Sequence, residues 1–84
     1  MKKKVIAVHW RDIHFHGDWR EDAELHTDLP VFITYGVKVK GGDPLVVAGV
    51  VAPDSPERRY GDVTKIPKGC IVRIDELDTI EVNK

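Results

Sequence analysis

The chain has 84 residues, 42% of them hydrophobic and 32% charged, which predicts a single folded domain over residues 1–84 with a small core. Thirteen basic and fourteen acidic residues leave a net charge of −1, so we expect no general attraction to nucleic acid or to an anionic membrane. No apolar run approaches the roughly 18 residues that span a bilayer, so we expect no membrane insertion.

The first predicted element is a strand over residues 5–13, because apolar residues alternate along it. Ile6, Val8 and Trp10 share one face of this strand, which we expect to be the buried face. The lysines at positions 2–4 precede only four apolar residues, whereas a secretory signal needs about 7–15. This start of the chain therefore indicates a strand with a charged lead-in.

Residues 18–27 predict a short helix after the first strand. Asp18 can cap it, and acidic residues crowd its first turn, where the helix dipole favours them. Two helical turns are not stable alone, so we expect Trp19 and Leu25 to hold the helix against the sheet.

Two strands are predicted in the middle of the chain. Residues 31–40 alternate, and residues 45–52 are apolar throughout, as in a strand covered on both faces. Residues 41–44 form the hairpin turn between them, because adjacent glycines tolerate positive φ. The alternating strand has an apolar set that we expect to face inward, namely Val31, Ile33, Tyr35, Val37 and Val39.

The last third of the chain predicts a long loop and short strands. Residues 53–62 are rich in proline and polar turn formers and form the longest loop. Strands follow over 63–66 and 70–74, separated by the Pro-Lys-Gly break at 67–69. Residues 79–82 predict a short edge strand blunted by charges.

This order of elements predicts a mainly β domain: a small SH3-like or Sm-like antiparallel barrel of five or six strands, with one short helix after the first strand. The alternative is an open antiparallel sheet with one helix packed on it. The single cysteine, Cys70, lies in an apolar run and is expected to be a buried, unreactive thiol. A chain without an internal disulfide fits a reducing cytoplasm.

The densest chemistry lies in residues 9–19, which hold three of the four histidines and both tryptophans. Histidines two apart on a strand point to one side, and a carboxylate shares their parity, so a zinc site can be drawn. Its ligands would be Asp12, His14, His16 and His26. Solvated polar side chains at the mouth of a strand are the alternative, and we expect no resident metal or cofactor.

Three neighbouring residues in the long loop, Arg58, Arg59 and Tyr60, combine two planar cations with an aromatic ring and suit phosphate binding with base stacking. The alternative is a solvated loop. If their strands are neighbours, three lysines would extend this basic patch, namely Lys38, Lys40 and Lys65. Each tryptophan is either a core anchor or a ligand platform. We expect no catalysis, because the only serine, Ser55, has no nucleophile elbow around it.

The start Val8-His9-Trp10-Arg11-Asp12, a second tryptophan at 19, the middle strand Thr34–Val39 and the ending Ile66-Pro67…Ile74 together resemble a group of short phage- and prophage-encoded accessory proteins. The resemblance covers nearly the whole chain. It implies a non-enzymatic protein that works in the cytoplasm of an infected bacterium and opposes host defence. The His14–His16 segment departs from the pattern of that group.

The sequence therefore predicts a non-catalytic binding protein, oligomeric with copies of itself, that binds a host protein or a small nucleotide-type ligand. The ligand-binding residues would be Trp10, Asp12, His14, His16, Trp19, Arg58, Arg59 and Tyr60. A metal-binding protein or metal-dependent hydrolase using the histidine cluster is the first alternative. A nucleic-acid-binding barrel is the second, and the near-neutral charge speaks against it.

Overall fold

A computed structural model of the chain describes residues 1–13, 17–24 and 29–82. Five antiparallel strands form one open sheet, with four connected as a meander and the fifth returning to pair with the first. The strand order across the sheet is β4-β3-β2-β1-β5. The strands are β1 (Lys2–Arg11), β2 (Val31–Lys40), β3 (Leu45–Val51), β4 (Tyr60–Ile66) and β5 (Ile71–Glu81). The mainly β class is thus confirmed.

The only helical elements among the described residues are three short 3-10 turns, at Asp22–Glu24, Pro56–Arg58 and Lys68–Cys70. The helix expected over 18–27 is wrong at its beginning, because residues 18–21 are not helical. Its remainder, 25–27, lies outside the described residues. Trp19 is fully exposed and does not hold a helix against the sheet. So short a segment has too few apolar side chains to offset the cost of helix nucleation by packing.

Most of the core lies on one face of the sheet, which we call the inner face. Its buried cluster consists of Ile6, Val8, Leu45, Val47 and Ile66. The first two belong to β1, although β2 separates that strand from β3, so the sheet must bend for them to meet. Trp10, Cys70 and Ile71 pack around the cluster. The expected inward face of β1 agrees with this arrangement. Cys70 lies beside the core but is only half-buried, whereas the sequence predicts a buried thiol.

The inward face expected for β2 is wrong. Residues paired directly across two antiparallel strands lie on the same face of a sheet. Ile6 pairs with Gly36 and Val8 pairs with Thr34, so the even-numbered residues of β2 lie on the inner face as far as Lys38, after which the register shifts. The odd-numbered set lies on the outer face, where Val31, Ile33 and Tyr35 are exposed and only Val37 is buried. Alternation of apolar and polar residues indicates a strand, but it does not indicate which face of the strand meets the core.

The acidic end of the chain is one long strand, β5, rather than a solvated tail followed by a short edge strand. It pairs with β1 from Trp10 to Lys2, so acidic side chains lie beside the lysines that begin the chain. Lys4 Nζ lies 2.8 Å from Glu76 Oε2, and the amino terminus pairs with Glu81. Opposite charges on neighbouring strands support this register.

Candidate functional site

Trp10 is held by inner-face neighbours on β2. Its indole Nε1 donates a hydrogen bond of 2.9 Å to Thr34 Oγ1. Its ring packs against Phe32, with 5.1 Å between the ring centroids and a tilt of 38°. The strand register dictates both contacts, because Phe32 pairs with Trp10 and Thr34 pairs with Val8 one step along. Trp10 is therefore fixed in position, as a core anchor or a rigid ligand platform would be.

The Trp10–Thr34 hydrogen bond should be worth about 1 kcal/mol, as a part-buried neutral bond is. We expect Trp10→Phe and Thr34→Val each to lower the free energy of unfolding, and the double variant to lose less than the sum of the two. A double-mutant cycle by urea denaturation measures that difference. Strictly additive losses would mean that the two side chains are not coupled.

A cavity of about 270 Å³ opens beside Trp10. Asp12 and Ile13 line it from the end of β1, and Pro67 and Cys70 line it from the 3-10 turn before β5. We call this cavity the Trp10 groove. Asp12 Oδ1 accepts a 2.7 Å hydrogen bond from the Ile13 backbone N–H, which orients the carboxylate at the rim. Two of the predicted ligand-binding residues, Trp10 and Asp12, are thus brought to one cavity.

The other predicted residues do not join the Trp10 groove. Trp19 is fully exposed. Arg58, Arg59 and Tyr60 lie at the far end of the β3–β4 hairpin, where Tyr60 pairs with Val51. The groove, in contrast, is lined by the opposite end of β4.

The neighbouring strands required by the lysine patch are confirmed, because β2, β3 and β4 are adjacent in the sheet. Lys40 and Lys65 both pair with Val46 and so share a face, whereas Lys38 pairs with Val47 on the inner face. Lys65 is near the end of β4 opposite Tyr60. The lysines and the arginine loop therefore form two separate basic regions rather than one patch.

The predicted zinc site cannot be assembled from the described residues, because His14, His16 and His26 lie outside them. Within residues 1–13, 17–24 and 29–82, no group of three histidine, cysteine or acidic side chains could hold a metal ion. Asp12 is the one proposed ligand whose position is described. Metal binding by the histidine cluster stays a prediction.

The fourth histidine, His9, belongs to a polar cluster on the outer face. Its Nε2 lies 3.0 Å from Asp75 Oδ2 and 3.2 Å from Arg73 Nη2. Arg73 Nε also lies 3.2 Å from Asp75 Oδ1. A ring nitrogen can donate to the carboxylate or accept from the guanidinium, but it cannot do both at once. The cluster ties β5 to β1.

Beside this cluster runs an exposed apolar strip that we call the outer strip, made of Val31, Ile33 and Tyr35. These side chains are 43%, 44% and 63% exposed. They stand opposite Arg11, His9 and Ala7 of β1. The alternation of apolar residues along β2 signals this surface in the sequence, but alternation alone does not show that the apolar face points away from the core.

Comparisons with protein-family models, with curated proteins and with solved structures found no match. In the part of the chain that the structure describes, no helix is long and apolar enough to cross a membrane.

Proposed function

We propose that the chain is a non-catalytic binding protein that works as a homo-oligomer, built as a small SH3-like barrel. Contact of β1 residues Ile6 and Val8 with β3 across the intervening strand supports a sheet that curls on itself. The 3-10 turn between β4 and β5 supports it as well. A fold of this kind hosts many functions, so the choice of function rests on the surface.

The outer strip is the observation that carries the proposal. Along β2, apolar side chains alternate as in a strand with one buried face, yet the core-facing positions hold Thr34, Gly36 and Lys38 besides Phe32. An exposed strand face normally carries polar residues. Here three large apolar side chains lie in a row on the outer face and are exposed to solvent. Such a contiguous patch is typical of a surface that another protein covers.

The total accessible surface area of the chain also favours self-association. A compact monomer of 9.5 kDa exposes about 5,050 Å². This chain exposes 6472 Å², an excess on the order of 1,400 Å², part of which lies on the exposed residues 12–13 and 17–23. Its radius of gyration is 16.5 Å, against about 12 Å expected for this length. A stable dimer buries about 800 Å² on each partner, which is less than this excess, although the excess is spread over an elongated chain and is not confined to the outer strip.

A second copy of the chain suits this surface. In a two-fold contact the same strip meets itself, so apolar side chains face apolar side chains. Arg73 and Asp75 border the outer face with opposite charges, and a two-fold axis can bring one beside the other. Self-association would also add apolar burial to a core of few residues.

The test is sedimentation velocity between about 5 and 200 µM, a range that separates a weak dimer from a monomer. We expect the wild-type chain to sediment as an oligomer and Tyr35→Arg to sediment as a monomer. Leu77→Arg is the matched control, because Leu77 is also more than half exposed but lies on β5. A wild-type chain that stays monomeric throughout, or a Tyr35→Arg variant that associates as the wild type does, would overturn the proposal.

The resemblance to phage-encoded accessory proteins supports a role in the cytoplasm of an infected bacterium, with a host protein as a further partner. Such a partner would bind at the Trp10 groove, where the fixed indole and the Asp12 carboxylate lie together. Trp10, Thr64 and Ile66 line this groove from the inner face, so a partner there and a second copy on the outer strip would not compete.

A further inference from the structure

A lysine stands on the inner face of the sheet. Lys38 pairs with Val47, which is 1% exposed and belongs to the core cluster. Inner positions of a small β-sheet domain usually hold apolar side chains, because an ammonium group loses hydration there. The Lys38 side chain avoids full burial because it extends toward the hairpin turn, where its Nζ lies close to Gly41. The result is a half-buried ammonium at the edge of the core.

Lys38 borders a cavity of about 330 Å³, which we call the lysine cavity. Its floor is apolar and is formed by Ile6, Leu45 and Ile71. Lys68 and Glu76 complete its charged rim. A cavity of this size lies at the small end of the range for ligand sites, which begins at about 300 Å³. Apolar floor and charged rim together match a small molecule with an apolar body and a charged group.

The walls of the lysine cavity are held in place before any ligand binds. Asp43 Oδ1 accepts a 3.0 Å hydrogen bond from the backbone N–H of Lys68. This bond ties the β2–β3 turn to the 3-10 turn that precedes β5. The two walls therefore form a fixed frame around the floor, which lowers the ordering cost of binding.

The charges on the rim favour an anion. Glu76 accepts a hydrogen bond from Lys4, and this bond and the Lys4 charge, with a smaller contribution from Lys38, hold the pKa of the Glu76 carboxyl below its usual value. The carboxylate is therefore already engaged by Lys4. No ion pair within 4.0 Å joins Lys38 or Lys68 to a carboxylate of the described residues. Two lysines that line the cavity thus have no carboxylate partner of their own.

We propose that the lysine cavity binds a small organic anion, with the apolar body on the isoleucine and leucine floor and the anionic group between Lys38 and Lys68. Lysine ammonium groups bind phosphate and carboxylate as point charges, so either group has the required chemistry. The site lies on the inner side of the sheet and does not depend on self-association through the outer strip.

The test uses three probes that share one aromatic body, together with inorganic phosphate. The probes are 1-naphthyl phosphate, 1-naphthoate and uncharged 1-naphthol, titrated into the ¹⁵N-labelled chain and followed by amide chemical shifts. We expect the two anions to shift the amides of Gly41, Gly42 and Ile71 saturably. The ratio of their affinities identifies the preferred anionic group. Naphthol and inorganic phosphate alone should bind at least about tenfold more weakly, because each lacks half of the interaction.

Lys38→Met keeps the length of the side chain and removes its charge. We expect it to weaken 1-naphthyl phosphate binding by about tenfold, and the wild-type affinity to fall as salt is added. Lys68→Met should also weaken binding of 1-naphthyl phosphate, and it replaces Lys38→Met as the test if Lys38→Met does not fold. Lys65→Met is the matched control and should leave binding unchanged. Three results would overturn the proposal. Naphthol could bind as tightly as both anions, the amide chemical shifts could change only at residues away from the cavity, or all three variants could bind 1-naphthyl phosphate equally well.

Discussion

Replacing Gly36 with alanine should destabilise the fold by about 3 kcal/mol, the upper part of the usual range for overpacking. An added Cβ would lie 2.5 Å from the Ala48 carbonyl oxygen and 2.7 Å from Val47 Cγ1. Both contacts are far inside van der Waals distance, and the nearer one is to backbone. Val47 is in the core cluster, so β3 cannot move away without opening the core.

Urea denaturation at one fixed protein concentration measures this change, because self-association would otherwise contribute to the apparent stability. Gly69→Ala is the matched control. No heavy atom lies within 4 Å of its added Cβ, so we expect a change of at most about 0.5 kcal/mol. Equal losses for the two variants would mean that the close approach of β2 and β3 is absent in solution.

Leu45→Ala should lower the free energy of unfolding by about 3 kcal/mol, since a buried leucine loses both transfer free energy and packing when truncated. Leu45 is 3% exposed and pairs with Ile66, another member of the core cluster. It also forms part of the floor of the lysine cavity, so its truncation should weaken anion binding.

The matched control for this variant is Leu77→Ala, the same truncation at a side chain that is 55% exposed. We expect a change below about 1 kcal/mol there. Thermal and urea denaturation of both variants give the comparison. A loss at position 77 as large as that at position 45 would contradict the assignment of the core to the inner face.

The strands in the middle of the chain could be predicted closely from the sequence. The bounds of β2 are those expected, and β3 ends one residue early, because glycine and proline punctuate these segments and β-branched residues fill them. The strand β4 begins three residues earlier than expected, at Tyr60. Tyr60 and Gly61 look like loop residues alone but gain pairing partners in Val51 and Val50.

The acidic segment of β5 could not be recognised as a strand from its own residues. Asp75, Glu76 and Asp78 have low strand propensity. Their pairing with β1 depends on lysines some 70 positions earlier, such as Lys4 beside Glu76, whose side-chain hydrogen bond spans 72 positions. Long-range charge complementarity of this kind has no local signature.

The candidate site was predicted in part. Trp10 and Asp12 were singled out and do share a cavity, because they stand two apart at the end of one strand. The lysine cavity was missed, since Lys38, Lys68 and Glu76 come from three separate segments and each looks like a solvated charge in its local sequence. Lys38 is unusual only because its face of β2, and not the apolar odd-numbered face, meets the core.

The two skipped residues in the β1–β5 pairing have a consequence for how copies of this chain can assemble. Val72 and Leu77 have no partner in the register, so each marks a bulge in β5, an edge strand that also carries Asp75, Glu76 and Asp78. Bulges and like charges along an edge prevent strand-by-strand addition of further molecules. Association through the β5 edge is therefore disfavoured, whereas a two-fold contact between the outer strips closes on itself. The proposed assembly should therefore not grow by strand pairing along β5.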